Sequence, residues 1–332
     1  MTTRASGLII VGMHRSGTSA VAQMVHRMGV FIGPRQDLII ADPTNPTGHW
    51  ESWTLTAVNG TLLATCGGTW SAPPPLLPGW QLDPDLDDVL ALGWRAFPLV
   101  YPQQPWVWKD PRICLTLPFW RERVIDVPLA ALLVLRNPLE VAQSLHARNA
   151  LPKGQGLALW ERSMGRAVAN LRGLPTLVLS YEDLLEGTAA GAGDPVLGLW
   201  SYLTEVGVVA GDGPPEGAGQ VLVGGLRHGR YSAEDLRRDP DVSAAQAALY
   251  EVLQGLRGAH DSFSPPDLPA ETPSTASLLD EARAAAPIGE ELALMRSHAD
   301  RGVARLEHGR PAEAVVALRA RQDRMLRRLR GR

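Results

Sequence analysis

Four short apolar runs constrain this chain more than any other feature: Leu8–Val11, Trp106–Trp108, Ala131–Leu135 and Thr176–Leu179. Each is too short for a core helix and lacks the alternation of a half-solvated strand. Each therefore reads as a strand buried on both faces of a mainly parallel sheet. Helical patterns follow several of them. After the first, Ala20, Val21, Met24, Val25 and Met28 recur at helical spacing. After the third comes Asn137-Pro138-Leu139-Glu140, with Asn as N-cap, Pro at the first helical position and Glu two further on. Strand, loop and helix in that order predict an α/β fold, a three-layer sandwich around a mainly parallel central sheet.

Between these units, Ser71–Asp87 carries Pro73, Pro74, Pro75, Pro78 and Pro84 and reads as a surface excursion. The Gly- and Pro-rich span 187–219 holds another loop, around Gly211–Gly217. From Ser264 to Pro273 the run Ser-Pro-Pro-Asp-Leu-Pro-Ala-Glu-Thr-Pro reads as a linker. The expected organisation is a main α/β domain over residues 1–262, a linker over 263–276, and a helical, basic C-terminal tail over 277–332. Arg319–Arg332 contains seven arginines against one aspartate, a candidate homodimer contact or polyanion-binding arm, with a solvated helix end as the plainer reading.

Composition excludes little but narrows the setting. The formal charge is −3 over 332 residues, so no overall attraction to nucleic acid is expected. Two cysteines, Cys66 and Cys114, make no disulfide framework and lack metal-ligand spacing; both read as small core residues, and a cytoplasmic setting is expected. The apolar run near the N-terminus is too short for a signal peptide or a membrane span. Of 32 basic residues only two, Lys109 and Lys153, are lysines, so a lysine inside a motif is informative.

Gly12-Met13-His14-Arg15-Ser16-Gly17-Thr18-Ser19 joins the first strand to the first helix, where backbone N–H groups and the helix dipole form an anion site. The spacing is that of a Walker A loop, G-x-x-x-x-G-K-[ST], so a P-loop-like nucleotide-binding fold is expected. Thr18 stands where the loop lysine belongs, however, and Arg15 places a cation inside the loop. An ordinary ATPase is disfavoured.

Arg15-Ser16-Gly17-Thr18-Ser19 resembles the 5′-phosphosulfate loop of sulfotransferases that use 3′-phosphoadenosine-5′-phosphosulfate (PAPS), which reads [KR]-[ST]-G-[TS]-[TS]. A second segment, Leu135-Arg136-Asn137-Pro138-Leu139-Glu140-Val141-Ala142-Gln143-Ser144, resembles the 3′-phosphate segment of the same family: an arginine at a strand end and a serine eight residues later. The resemblance implies that Arg15 contacts the bridge between phosphate and sulfate. His14, Ser16, Gly17, Thr18 and Ser19 would hold the 5′ side, and Arg136 and Ser144 the 3′-phosphate. Tyr181, in Tyr181-Glu182-Asp183-Leu184, is nominated as an adenosine contact, with sealing of the core as the alternative, and Arg227 and His228, in Leu226-Arg227-His228-Gly229-Arg230, as a basic closure over the 3′-phosphate.

Sulfuryl transfer proceeds by in-line attack and needs fixed cations and one base, with no metal. Trp106-Val107-Trp108-Lys109-Asp110-Pro111-Arg112 resembles the K-x-P or KDP turn of the family and nominates Lys109 as the second sulfuryl ligand. Asn45-Pro46-Thr47-Gly48-His49-Trp50-Glu51 resembles the NPxGxxE segment of bacterial sulfotransferase-like proteins, which favours Glu51 as the base; His49, His14 and Asp110 are its rivals. An apolar wall of Trp50 and Trp53 is expected to raise the Glu51 pKa toward neutrality. Several of the ten tryptophans are candidates to line an acceptor pocket. The resemblance spans roughly residues 8–232 and implies transfer from PAPS to a small-molecule or glycan hydroxyl, releasing adenosine 3′,5′-bisphosphate (PAP). The alternatives are a P-loop small-molecule kinase using ATP and Mg²⁺, and a nucleotide-binding scaffold without turnover.

Overall fold

The computed structural model describes residues 4–39, 41, 45, 47–186, 194–221 and 230–310. Four parallel strands, β1 (Gly7–Val11), β2 (Trp106–Lys109), β3 (Leu129–Leu135) and β4 (Thr176–Ser180), form the sheet, with a short antiparallel β5 (Gly258–His260) at one edge. The order is β2-β1-β3-β4-β5. All four expected strands are present, in parallel register.

Each central strand is buried on both faces, and its alternate side chains enter different cores. Ile9 and Val11 of β1 and Ala131, Leu133 and Leu135 of β3 face one core. Leu8 and Ile10 with Ala130, Leu132 and Val134 face the other. The second core is closed by α1 (Thr18–Arg27) and α8 (Pro195–Glu205), through Val21, Met24, Val25, Leu199 and Leu203. The first is closed by α2 (Trp53–Thr65), α3 (Asp87–Val100), α4 (Ile113–Arg123), α5 (Pro138–Asn149) and α6 (Lys153–Asn170). The result is the helix–sheet–helix sandwich that doubly buried strands require. A short α7 (Tyr181–Glu186) continues directly from β4, and α9 (Ala233–Arg238) and α10 (Ala244–Gly255) precede β5.

The end of the described chain joins the same body. Helix α11 (Pro273–Ala285) places Leu279 in the first core, and α12 (Ile288–His308) adds Ala299, Val303 and Leu306. Before them, Phe263 is buried and Arg162 grips Glu271 through two hydrogen bonds, at 3.0 and 2.7 Å. Buried Glu161 accepts bonds from the Thr272 amide (2.7 Å) and from the Thr275 hydroxyl (2.6 Å). The rest of the arginine-rich terminus, 311–332, lies outside the described residues. No helix among the described residues is long and apolar enough to cross a membrane.

Candidate active site

The carboxyl ends of β1, β2 and β3 lie side by side, so the loop after each opens into one crevice, the place where open α/β sheets bind ligands. The loop after β1 turns sharply. Arg15 (φ 69°) and Gly17 (φ 88°) both take the left-handed conformation, costly for an arginine and typical of functional turns. Gly17 has a second reason to be glycine: a Cβ there would lie 2.1 Å from the Tyr181 ring. At Gly12 a Cβ would lie 2.8 Å from the Val134 carbonyl.

Arg15 fastens this loop to the turn after β3. Its Nε donates to Ser144 Oγ on α5 (2.8 Å), and its carbonyl accepts from Arg136 Nη1 (2.6 Å). Arg136 also pairs with Glu140 one turn on (2.9 Å) and lies over the Tyr181 ring, 4.7 Å from its centroid. Asn137 caps α5 by accepting from the Leu139 amide, as its sequence position predicts. Buried Tyr181 is thus wedged between the two loops, with Arg136 on one face and Gly17 against its edge. Arg227 and His228 lie outside the described residues.

Lys109 emerges from β2 buried. Its Nζ donates to Glu51 Oε1 (2.5 Å) and to Ser19 Oγ (3.1 Å). Ser19 Oγ in turn donates to the His49 carbonyl (3.1 Å), so the first loop, the strand-end lysine and the 45–51 segment meet at one point. Asn45 folds that segment by donating to the Gly48 carbonyl (2.7 Å). Arg112 stands behind, 3.9 Å from Glu51 and 3.0 Å from Asp110. Asp110 is fully committed: it accepts from the Arg112 amide and guanidinium and from Asn59 Nδ2 (2.9 Å), and Asn59 is itself held by Trp120 Nε1 (2.8 Å).

The expected rise in the Glu51 pKa is reversed. Burial alone would raise it, but the adjacent Lys109 and Arg112 charges and the Lys109 hydrogen bond hold the carboxyl below its usual value. The two tryptophans expected to form its apolar wall have other partners. Trp50 donates to the Thr47 carbonyl (2.8 Å) and packs by His26, whereas Trp53 lies against His298 and Arg305. Among the other tryptophans, Trp106, Trp108 and Trp120 are core, and Trp70 lies against the His14 ring at 4.7 Å. His14 is held neutral: burial first, then the charges of Arg112, Lys109, Arg148 and Arg15, push its imidazole well below 6.5.

Two buried polar atoms of the first loop, His14 Nε2 and Ser16 Oγ, have no hydrogen-bond partner among the described residues. Such groups are costly unless a ligand completes them. Sequence reasoning missed Arg112 as a group beside Glu51, although it stands in the same turn as Lys109. It also missed Asp37, buried beneath the segment that carries Glu51, where it accepts from the Ser52 and Thr54 hydroxyls and the Thr54 amide. A single aspartate in an irregular stretch gives no pattern that could have announced it.

The fold and site define an α/β protein with a P-loop-like turn at the head of its sheet. No protein-family model matches the sequence, and a search of curated proteins found no match. Among solved structures it is similar to the sulfotransferase domain from the Synechococcus PCC 7002 olefin synthase, at 15% identity and a TM-score of 0.39, over 86% of this chain and 97% of that one. It is also similar to the sulfotransferase domain from the curacin biosynthetic pathway, at 16% identity and a TM-score of 0.39, over 84% of this chain and 99% of that one.

Proposed function

We propose that this chain is a sulfotransferase that moves a sulfuryl group from PAPS to an acceptor hydroxyl and releases PAP. The observation that carries this reading is the double use of Arg15, its side chain on Ser144 and its carbonyl on Arg136. Two anion cradles, one after β1 and one after β3, are thereby locked into a single crevice, as a nucleotide with phosphate groups on both sides of its ribose requires. The Ser16 hydroxyl and His14 Nε2 fit the same ligand, since both need polar atoms that the described residues do not supply.

In this reading the amides and hydroxyls of Ser16 to Ser19 hold the 5′-phosphate, and Arg136 and Ser144 hold the 3′-phosphate. Arg15 and Lys109 neutralise charge on the sulfuryl and leaving oxygens. Glu51 takes the acceptor's proton as the new O–S bond forms and the bond from sulfur to the bridging oxygen breaks. Paired with Lys109, Glu51 is a poor base. Lys109 must therefore shift toward the donor before transfer, and that shift frees the carboxylate where the acceptor hydroxyl arrives. The hydroxyl acceptor is a small molecule or a glycan.

Calorimetry on the full chain is the test. PAP should bind well below about 1 mM, and ATP with Mg²⁺ far more weakly, followed by transfer from labelled PAPS to members of a hydroxyl acceptor panel. Equal or better binding of ATP with Mg²⁺ would move the reading to a kinase, and PAP binding without transfer to any acceptor would leave a scaffold.

A further inference from the structure

Glu51 immediately precedes Ser52, the N-cap of α2, whose hydroxyl accepts from the Leu55 amide. Helix α2 has no charged residue and is buried along almost its whole length, so it needs a partner on every side. One side meets the body of the fold, where Asn59 holds Asp110 and through it Arg112. Helix α12 covers another. Contact there is at backbone distance: a Cβ on Gly302 would lie 2.2 Å from Thr54 Oγ1, and one on Gly60 of α2 would lie 2.7 Å from Met295 Cγ. Ala299, Val303 and Leu306 are buried in the same contact region.

The first turn of α2 is gripped most tightly. Thr54, under Gly302, donates to Asp37, and Asp37 also takes the Ser52 hydroxyl. One strand pairing further, the Ile39 amide donates to the Glu51 carbonyl (2.9 Å), and Leu38 bridges Ser52. From above, the Arg305 guanidinium of α12 lies 4.9 Å from the centroid of the Trp53 ring, two residues from Glu51.

We propose that α12 is a positioning element of the active site. By seating Gly302 on Thr54 and Arg305 on Trp53, it fixes the Asp37–Ser52–Thr54 knot and so sets where Glu51 meets Lys109 and Arg112. The role of Glu51 in this proposal rests on the sulfotransferase reading above; the bracing of residues 37–39 and 51–55 does not. The C-terminal helices are then required for turnover while leaving the donor cradles, which they do not touch through any of these contacts, intact.

The test uses the full chain with Arg305→Met, an exposed substitution that leaves the core whole, and Gly302→Val, which forces the helices apart. Arg305→Lys is the conservative control. For Arg305→Met and Gly302→Val, kcat should fall about 10- to 100-fold, the loss expected when a reacting group is displaced by about 1 Å, with PAP affinity and donor KM unchanged. Arg305→Lys should recover most of the loss. Hydrogen exchange should quicken in residues 37–39 and 51–55 and stay unchanged in 8–19 and 129–144. PAP affinity falling in step with kcat, exchange rising throughout the fold, or no change in either measurement would overturn the proposal. Should the wild type bind no PAP, the sulfotransferase reading fails by itself, and the exchange pattern alone still decides whether α12 braces this segment.

Discussion

Lys109 and Glu51 form a buried ion pair, and such pairs behave asymmetrically: losing one partner costs about 3–5 kcal/mol, whereas replacing both with neutral groups costs little. Lys109→Met should therefore lower both activity and thermal stability, with kcat reduced about 10²- to 10³-fold for a lost transition-state cation. Adding Glu51→Gln should restore much of the stability and none of the activity, and a double-mutant cycle of denaturation and rate measurements checks both. Glu51→Gln alone should spare PAP binding in calorimetry while stopping transfer. If transfer persists and is lost in His14→Gln, the proton acceptor is the neutral imidazole under Trp70. Lys109 was legible from the sequence because lysine is so rare here and stands in a strand-end turn. The environment of Glu51 was not, because its electrostatics depend on Arg112 and Lys109 approaching from 58 to 61 positions away.

Tyr181, at the junction of β4 and α7, shows what an element boundary can do that a motif does not reveal. The sequence nominates it either as an adenosine contact or as a residue that seals the core; in the structure its ring supports Arg136 and fills the space that Gly17 leaves open. Tyr181→Leu should weaken PAP binding through loss of the Arg136 platform. Arg136→Ala should weaken it by about 1.5–3 kcal/mol, the range for hydrogen bonds to a charged group, and the double variant should add little more. Full additivity in calorimetry would separate the two residues. The strands themselves were legible, because burial on both faces writes a continuous apolar run. β5 was not: Gly258-Ala259-His260 carries no strand signature and pairs only because β4 offers it an edge. The contact of α12 with α2 was hidden too, since glycines that permit close helix approach look the same in sequence as glycines that end a helix.

Across the whole molecule, buried titratable groups couple stability to pH in opposing directions. His14 is held neutral when folded but takes a proton near pH 6.5 when unfolded, so acidification below that value favours the unfolded chain. Glu51, depressed in the fold, extends the loss as the pH falls below 4.5. Asp37 acts the other way: burial, the main cause, raises its pKa despite the Ser52 and Thr54 hydrogen bonds, so its contribution fades as pH rises through its folded value. Denaturant unfolding at pH 7.5 and 5.5 should show lower stability at the acid value, with a smaller drop in His14→Gln; an equal drop would place the proton uptake elsewhere.

Both margins of the sheet are short of free hydrogen-bonding positions. Along β2, the Val107 amide is already engaged by the Phe31 carbonyl (2.8 Å), and at the opposite margin β5 runs for only three residues. Among the described residues a second copy therefore finds no long open strand on which to continue the ladder. Among the described residues a sheet shared between two copies is therefore disfavoured, which leaves helix and loop faces as the surfaces for any association.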